Sequence, residues 1–219
     1  MSEATDTTAV DEQKPVSPEG PPDDRVGELD EEARERRAAA LAQIRTFGDP
    51  VLKSRASEIT SFGPELEREA ERMIELMHDA IGVGLAATQL GVMHRLLVFQ
   101  AGLDATPTAV ANPELEWESD QLATAEEGCL SLPGVSVDVE RPLYARISGR
   151  DVRGEPLLVE ASGLEARVLQ HEIDHLDGVL MLDRTEREQR KAALRALREG
   201  ATYSPSAEEE EVEVSGDEA

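Results

Sequence analysis

The sequence predicts an α+β domain in which antiparallel sheets pack around a central helix, with N- and C-terminal helices and acidic disordered tails. Short apolar and β-branched runs recur from residue 96 onwards with no helical pattern between them, which indicates antiparallel strands rather than βαβ alternation. A helical pattern follows the last of these runs. The predicted strands are residues 96–99, 135–139, 143–147 and 157–159, with a hairpin turn at 151–154.

Charge divides the chain into a central part and two acidic flanks. The 219 residues include 47 acidic and 22 basic ones, which gives a net charge of −25. Residues 1–40 hold 12 acidic and 5 basic residues, and residues 201–219 hold 7 acidic and none basic. We therefore expect a mostly disordered extension over 1–40, one folded catalytic domain over 41–185, a C-terminal helix over 186–200 and a disordered tail over 201–219.

The N-terminal flank lacks the pattern of a targeting sequence. Prolines, serines, threonines and acids dominate residues 1–30, and a short helix is expected from about Asp30 to about Ile44. There is no apolar core of a secretory signal, and the acidity argues against a transit peptide. No apolar run is long enough to span a membrane. We expect a cytoplasmic protein whose single cysteine stays reduced.

The predicted central helix carries two histidines four residues apart. Residues 171–175 read H-E-I-D-H, a match to the pattern H-E-x-x-H. Residues i and i+4 lie on one face of a helix, so both imidazoles can reach one ion. No proline interrupts residues 163–177, and Gly178 is placed to end the helix. Ser162 and Glu165 predict a capping box at its start.

Two stripes run along this helix at helical spacing. One stripe is apolar and is expected to hold the helix in the core, whereas the other carries the ionisable groups. Histidines on a helix are often ordinary core or surface residues, but here two of only four in the chain share one motif. The apolar stripe is Leu169, Ile173 and Leu176, and the second stripe is Val168, His171, Glu172 and His175.

A third metal ligand is not evident downstream of the motif. Met181 stands where a metzincin would have its third histidine. Glu186 and Glu188 follow, but they fall in the exposed first turn of another predicted helix, which begins with a capping box of Thr185 and Glu188. The third ligand is therefore better sought upstream.

Cys129 is the strongest candidate for that ligand. It is the only cysteine, so it has no disulfide partner within the chain, and a thiolate binds borderline and soft divalent ions well. Its glycine and proline neighbours indicate a strand end. Alone, a cysteine would more often be a small buried apolar residue. With His171 and His175 it leaves a tetrahedral ion one open position, which is typical of a catalytic site, and Glu172 is the natural general base.

A glycine-rich segment precedes these motifs. Gly82 and Gly84 loosely fit a dinucleotide-binding fingerprint, but that fingerprint requires a preceding strand. The pattern before Gly82 instead predicts an amphipathic helix. The segment is better interpreted as a turn that an extended peptide can approach closely at Gly84, with Gln89 presenting an amide. The apolar face of the preceding helix is Leu66, Ala70, Met73, Ile74, Met77 and Ile81.

Three segments in this order resemble the signature motifs of peptide deformylases, the hydrolases that remove the formyl group from nascent bacterial and organellar polypeptides. They are GVGLAATQ at 82–89, EGCLS at 127–131 and QHEIDH at 170–175. The resemblance covers roughly residues 44–185, and it implies the same α+β fold. Thr88 stands where many members have proline, a loop difference that we do not expect to affect the chemistry.

The resemblance implies an activity and a set of roles. The chain would hydrolyse the formyl group from the N-terminal N-formylmethionine of newly made polypeptides and release formate. The side-chain amide of Gln89 and the backbone N–H of Leu130 would stabilise the oxyanion. One divalent ion is implied, Fe²⁺ in the cell, with Zn²⁺, Ni²⁺ or Co²⁺ able to replace it.

The substrate pocket is less strongly indicated. Val168 lies on the metal-facing stripe, and the resemblance implies Val83 and Leu164 as its neighbours around the methionine side chain. Ordinary core packing is an equally good interpretation of these residues. Arg141 resembles a family arginine near the substrate channel, although a surface charge is the alternative.

Two alternatives to these functional interpretations stay open. A zincin-like metalloendopeptidase could use the same metal helix, and a metal-binding or redox-sensing protein would need Cys129 but not Glu172 or Gln89.

Residues 186–199 are predicted to form a basic helix. This helix could contact the ribosome, or it could simply be a solvated surface. Its basic residues are Arg187, Arg190, Lys191, Arg195 and Arg198.

Overall fold

The computed structural model describes residues 29–102 and 105–206, and it confirms the predicted α+β class. The helices are α1 (Glu31–Leu41), α2 (Pro64–Asp79), α3 (Gly163–Leu176) and α4 (Arg187–Glu199). The strands are β1 (Gly84–Ala86), β2 (Leu96–Phe99), β3 (Thr108–Glu118), β4 (Leu122–Gly128), β5 (Ser136–Pro142), β6 (Tyr144–Arg150) and β7 (Pro156–Ser162). Short 3₁₀ helices cover Pro50–Lys53, Ala87–Leu90 and Met181–Asp183.

All strand pairs within the two sheets are antiparallel. The larger sheet has the order β1-β2-β3-β6-β7, and β4 and β5 form a separate two-stranded sheet. The four runs predicted as strands are β2, β5, β6 and β7. Three strands escaped prediction from hydrophobic patterning: β1 is very short, β4 is rich in alanine and glutamate, and the alternation of β3 is broken by register shifts. Helix α2 precedes β1, as expected from the pattern that argued against a dinucleotide site.

Helix α3 packs its apolar side against the larger sheet. Its buried residues join side chains of β1, β2, β3, β6 and β7 in one hydrophobic cluster, here called the α3 cluster. Among the described residues, no side chain of β4 or β5 belongs to this cluster. The valines of β5 pack instead with Ala193 and Ala196 of α4. The buried members of the α3 cluster are Ala56, Ala86, Leu97, Phe99, Val110, Ala145, Ile147, Ala161, Ala166, Val168, Leu169, Ile173 and Leu176.

Both predicted capping boxes are wrong. Ser162 is the N-cap of α3 and the last residue of β7, but its side chain makes no capping hydrogen bond. The first N–H of the helix, that of Gly163, donates to the carbonyl of Leu143. Helix α4 has Glu186 at its N-cap, again without a side-chain bond. The hydroxyl of Thr185 donates to the side chain of Gln189 instead.

Helix α3 ends just before Gly178, as predicted. Gly178 has a φ of +73°, and a Cβ there would lie 2.7 Å from the backbone of Lys53. Glycine alone combines that backbone conformation with so close an approach. The last turn of the helix, which carries His175, is therefore held against the chain near Lys53.

The flanks contain ordered residues where the structure describes them. Helix α1 begins after Asp30, whose carboxylate accepts the N–H of Ala33. This confirms the helix expected from about Asp30, although it ends at Leu41 and not near Ile44. At the other end, Tyr203 pairs with Val135 beside β5, so the predicted tail begins with ordered residues. The predictions for residues 1–28 and 207–219 lie outside the described residues. Among the helices that are described, none has the length and apolar character needed to cross a bilayer.

Candidate metal centre

Cys129, His171 and His175 come together although the first lies more than 40 positions from the others. The thiol sulfur of Cys129 is 3.2 Å from Nε2 of His175, and one possible ligand atom from each of the three residues lies within 4.8 Å of the others. Cys129 follows the last residue of β4, and both histidines lie on α3. Within the described residues this is the one group of three or more such side chains with metal-binding geometry.

The three side chains fit a tetrahedral divalent ion. Bond lengths of about 2.0–2.3 Å at tetrahedral angles separate neighbouring ligand atoms by roughly 3.5 Å. The separation of 3.2 Å between Cys129 and His175 is close to that value, and all three ligand atoms lie within 4.8 Å of one another. His175 is buried, whereas Cys129 and His171 are partly exposed, so solvent reaches the ligand group, and three protein ligands would leave a fourth position for water or substrate. A structural zinc site would instead be closed by a fourth protein ligand.

The electrostatic environment suits a cation. Burial lowers the pKa of His171, but its hydrogen bonds to Cys129 and Glu127 and their charges outweigh burial and raise the pKa well above the usual value. Burial, followed by the charge of His171, lowers the pKa of His175 well below the usual value. The protein thus keeps the imidazole of His175 neutral, as a metal ligand must be, and surrounds that of His171 with groups that favour positive charge.

Glu127 supports the site from behind and was missed as a functional residue. One of its oxygens lies 2.9 Å from Nδ1 of His171, which leaves Nε2 of that ring for an ion. It is 5% exposed, and it also accepts hydrogen bonds from Arg141 and Arg167. A signal was present: residues i and i+2 of a strand face the same side, so Glu127 shares the side of Cys129.

Arg141 lies in this support and not at the surface. Its guanidinium donates to Glu127 at 2.6 and 2.9 Å and to Asp174 at 2.9 Å, and the residue is 4% exposed. The surface-charge alternative is therefore wrong. Because one of its partners, Glu127, also pairs with His171, Arg141 belongs to the support of that ligand. A place near a substrate channel stays a prediction.

Glu172 is buried beside the ligands without a cation of its own. It is 4% exposed, and its Oε2 has no hydrogen-bond partner among the described residues. Burial raises the pKa of Glu172 to about 7, against the lowering effect of the neighbouring His171. A carboxyl group with a pKa near neutrality can both accept and return a proton at ordinary pH.

The position of the Glu172 side chain requires a glycine at position 84. A Cβ at position 84 would lie 2.5 Å from Oε1 of Glu172, so only glycine lets β1 pass this close to the carboxylate. The sequence interpretation explained the glycine by close approach of a substrate. The structure shows that the side chain of Glu172 approaches Gly84 closely. Contact between Gly84 and a substrate stays a prediction.

Gln89 and Leu130 both border the site. The Gln89 amide nitrogen lies 3.2 Å from the hydroxyl of Ser131 and 3.8 Å from the sulfur of Cys129, while its oxygen accepts the N–H of Ala86 at 2.8 Å. This last bond fixes which end of the amide faces the site. Leu130 directly follows Cys129, and among the described residues its backbone N–H has no acceptor.

The three predicted apolar pocket residues occupy different environments. Val168 is buried in the α3 cluster, and Val83 is partly buried against the same cluster. Leu164 is 53% exposed on the first turn of α3. Core packing thus describes Val168, whereas Leu164 presents apolar surface and belongs to none of the hydrophobic clusters formed by the described residues.

Several peptide deformylases are similar to this chain in sequence. Residues 41–191 match the family model for polypeptide deformylase. A peptide deformylase of Acidothermus cellulolyticus is 48% identical over 160 residues, which are 73% of this chain and 87% of that protein. A peptide deformylase of Thermotoga neapolitana is 47% identical over 144 residues, 66% of this chain and 87% of that protein.

Solved structures share the fold. A peptide deformylase from Synechococcus elongatus, crystallised with actinonin, superposes with a TM-score of 0.68 at 39% identity, covering 73% of this chain and 88% of that one. The enzyme from Thermotoga maritima superposes with a TM-score of 0.63 at 46% identity, covering 65% of this chain and 96% of that one. Together with the Cys-His-His site and its adjacent glutamate, these likenesses show that the chain belongs to the polypeptide deformylase family.

Proposed function

We propose that Cys129, His171 and His175 bind the ion with which this deformylase hydrolyses formylated peptides, and that Glu172 moves the proton. The activity itself follows from membership of the family. The observation that carries the residue roles is the convergence of three ligand atoms beside a buried carboxylate with an unpartnered oxygen. A non-catalytic metal-binding protein has no need of that carboxylate.

A divalent ion held by Cys129, His171 and His175 would act as a Lewis acid toward the formyl carbonyl and would lower the pKa of bound water to near 7. Glu172 accepts the proton of the attacking water at its carboxylate. It then donates this proton to the amine nitrogen as the bond between that nitrogen and the formyl carbon breaks. Formate and a free amino terminus are the products. The raised pKa of Glu172 suits both transfers.

The negative charge that develops on the formyl oxygen needs donors. The amide nitrogen of Gln89 is turned toward the site by the bond from Ala86 to its oxygen, and the N–H of Leu130 is free to donate. Preorganised donors of this kind need no reorientation during the reaction. We therefore assign the oxyanion stabilisation to these two groups.

The proposed ion in the cell is Fe²⁺, with Zn²⁺, Ni²⁺ or Co²⁺ as replacements. A set of one thiolate and two imidazoles accommodates all four, so the set narrows the choice without fixing it. An iron-bound thiolate beside an open position is exposed to oxidation. Iron-loaded protein should lose activity in air faster than nickel-loaded protein, as measured by the decay of formate release.

The proposed substrate is the N-formylmethionyl end of a nascent polypeptide. Its methionine side chain requires an apolar pocket close to the ligands. The exposed Leu164, with Val83 and the buried Val168, supplies apolar surface along the same side of α3 as His171. Gly84 of β1 is the proposed backbone contact.

The residue roles are tested by formate release from formyl-methionyl peptides. Wild-type protein should release formate, whereas Glu172→Ala should retain metal and lose about 10²-fold to 10⁴-fold in kcat, the usual contribution of general acid and base catalysis. Cys129→Ala should lose metal and activity together. The exposed Glu160→Ala is a matched control. Wild-type activity in Glu172→Ala would exclude this residue as the base.

The zincin-like endopeptidase alternative is not favoured. Buried Met181 occupies the position of a third metzincin histidine, and Cys129 completes the ligand group. The two activities are separated by presenting the same protein with unformylated peptides that contain internal bonds. Cleavage of those bonds without formate release from formylated peptides would reverse the assignment.

The proposed location is the cytoplasm, with contact to the ribosome through α4. Three basic residues of α4 form ion pairs, whereas none is recorded for Arg187 or Arg198 within the described residues. These two side chains are left to attract phosphate. Because α4 also packs on β5, charge reversal is a cleaner test than truncation at residue 185.

Arg187→Glu with Arg198→Glu should weaken co-sedimentation with ribosomes at low salt. The same reversal at Arg34 and Arg36 of α1 is the control, since it changes the net charge equally on another helix. Unchanged co-sedimentation in the α4 variant would reject the contact.

A further inference from the structure

Helix α3 is attached to the two sheets by different forces. Apolar side chains hold it to the larger sheet, whereas the described residues show no β4 or β5 side chain in the α3 cluster. Hydrogen bonds and ion pairs from α3 to the two-stranded sheet take their place. This second attachment decides the geometry of the ligands, because Cys129 follows β4 and the two histidines lie on α3.

Arg167 makes the most extensive of these polar links. Its Nη1 donates to Oε1 of Glu127 at 2.7 Å and to the carbonyl of Val139 at 2.8 Å, and its Nη2 donates to the carbonyl of Ala123 at 2.6 Å. One guanidinium thus reaches both strands of the small sheet. The side chain is 12% exposed, so water competes little for these bonds.

Glu127 connects Arg167 to a metal ligand. Its Oε1 accepts from Arg167, and its Oε2 pairs with Nδ1 of His171 at 2.9 Å. Arg167 and His171 are four residues apart and therefore lie on one face of α3, a turn apart. Two contacts to one carboxylate, separated along the helix, restrict both the rotation of α3 about its axis and its sliding along that axis.

We propose that Arg167 is a positioning residue that sets the distance between Cys129 and the histidines by clamping α3 to β4 and β5. The proposal rests on the assigned metal site. Arg167 touches none of the three ligands itself and acts through Glu127 and through the backbone of the strands.

Neither Arg141 nor a lysine can replace this clamp. Arg141 of β5 also bonds Glu127 and reaches Asp174 of α3, so it links the small sheet to a later turn of the helix than Arg167 does. Unlike Arg167, it has no recorded bond to a strand carbonyl. A lysine at position 167 keeps the positive charge, yet its single ammonium cannot reproduce the planar fork that reaches three acceptors at once. Arg167→Lys therefore separates charge from geometry.

The test uses Co²⁺-loaded full-length protein, since a cobalt–thiolate bond has its own absorption band. Arg167→Met removes the three bonds and keeps much of the side-chain volume. We expect cobalt to dissociate about 10-fold to 100-fold faster, the usual effect of losing support behind a ligand, with a weaker or shifted thiolate band. Arg167→Lys should fall between Arg167→Met and wild type. Arg146→Met, which removes an exposed arginine paired with Glu160, should match wild type.

The outcomes separate this proposal from the proposed function. Wild-type cobalt dissociation and an unchanged thiolate band in Arg167→Met would overturn the clamp while leaving the metal site intact. If Arg167→Met does not fold, Arg167→Lys gives the decision, and a wild-type rate there means that charge suffices and geometry does not matter. Lack of a thiolate band in wild type would overturn the metal site and the clamp with it, whereas formate release independently tests the deformylase assignment.

Discussion

The two sides of α3 show how one helix can be held by two kinds of force. On the side of the larger sheet, the attachment is the apolar α3 cluster. On the side of β4 and β5, it is a set of charged and polar bonds centred on Glu127. Hydrophobic burial is strong but non-directional, whereas hydrogen bonds depend on distance and angle. The directional attachment lies on the side where Cys129 must meet the histidines.

The pKa values of two buried glutamates differ because only one of them takes part in the polar attachment. Burial raises the pKa of Glu127, but its bonds to His171 and Arg141 outweigh burial and lower that pKa far below the usual range. Glu172 is buried just as deeply, lacks such partners, and has a pKa of about 7. One carboxylate is thereby kept as a permanent anion that holds the structure, and the other is kept able to exchange a proton.

The largest effect is expected from breaking the polar side. Glu127→Ala leaves the buried cations of Arg141 and Arg167 without their shared carboxylate. Loss of one partner of a buried ion pair typically costs about 3–5 kcal/mol, so the free energy of unfolding should fall by about that amount, and metal should be lost. Denaturant unfolding and metal analysis measure both. The exposed Glu160→Ala should change unfolding by less than about 1 kcal/mol. Equal effects of the two variants would contradict the comparison.

Breaking the apolar side should lower stability without changing the ligand geometry. Ile147 of β6 is fully buried in the α3 cluster. Ile147→Ala should lower the free energy of unfolding by about 2–4 kcal/mol through lost burial and a residual cavity. Cobalt bound to the folded variant should keep the wild-type thiolate band. A changed band would mean that the apolar side also sets the ligand distances.

The raised pKa of Glu172 predicts a pH dependence of metal-free protein. Its carboxyl has a pKa of about 7 when folded, against 4.5 ordinarily. Below about pH 4.5 both states hold the proton. As pH rises from there to about 7, the unfolded chain releases it first, so this group's contribution to stability is lost. The difference in unfolding free energy between wild type and Glu172→Gln should change across this window. A constant difference would show that the pKa is not raised.

The smallest effect is expected at Thr88, which bonds the last turn of α3 from the 3₁₀ helix Ala87–Leu90 and lies outside the polar attachment to β4 and β5. The residue is fully buried, and its hydroxyl donates to the carbonyl of His175 at 3.2 Å. Thr88→Val should lower the free energy of unfolding by about 1 kcal/mol, with kcat unchanged because the lost bond reaches the backbone carbonyl of His175 and not its imidazole. Thr185→Val, which removes another side-chain hydrogen bond, is the control. A tenfold loss of kcat would show that this bond contributes to catalysis.

The sequence by itself determined the candidate ligands, the base and the family. Helical spacing puts His171, Glu172 and His175 along one stripe, and ligand chemistry then makes the single Cys129 the complement. Three ordered motifs resembled the family to which the chain proved to belong. Local patterns carried this information because each depends on neighbours within a few positions.

Only the tertiary structure decided what surrounds those residues. The contacts of Glu127 with Arg141 and Arg167 join positions 14 and 40 apart, so periodicity could not reveal them, and a surface position stayed open for Arg141. The bond from the first N–H of α3, that of Gly163, to the distant carbonyl of Leu143 was likewise not visible in the sequence. Pairing between elements that meet only on folding depends on how the sheets close around α3, and no local pattern encodes that.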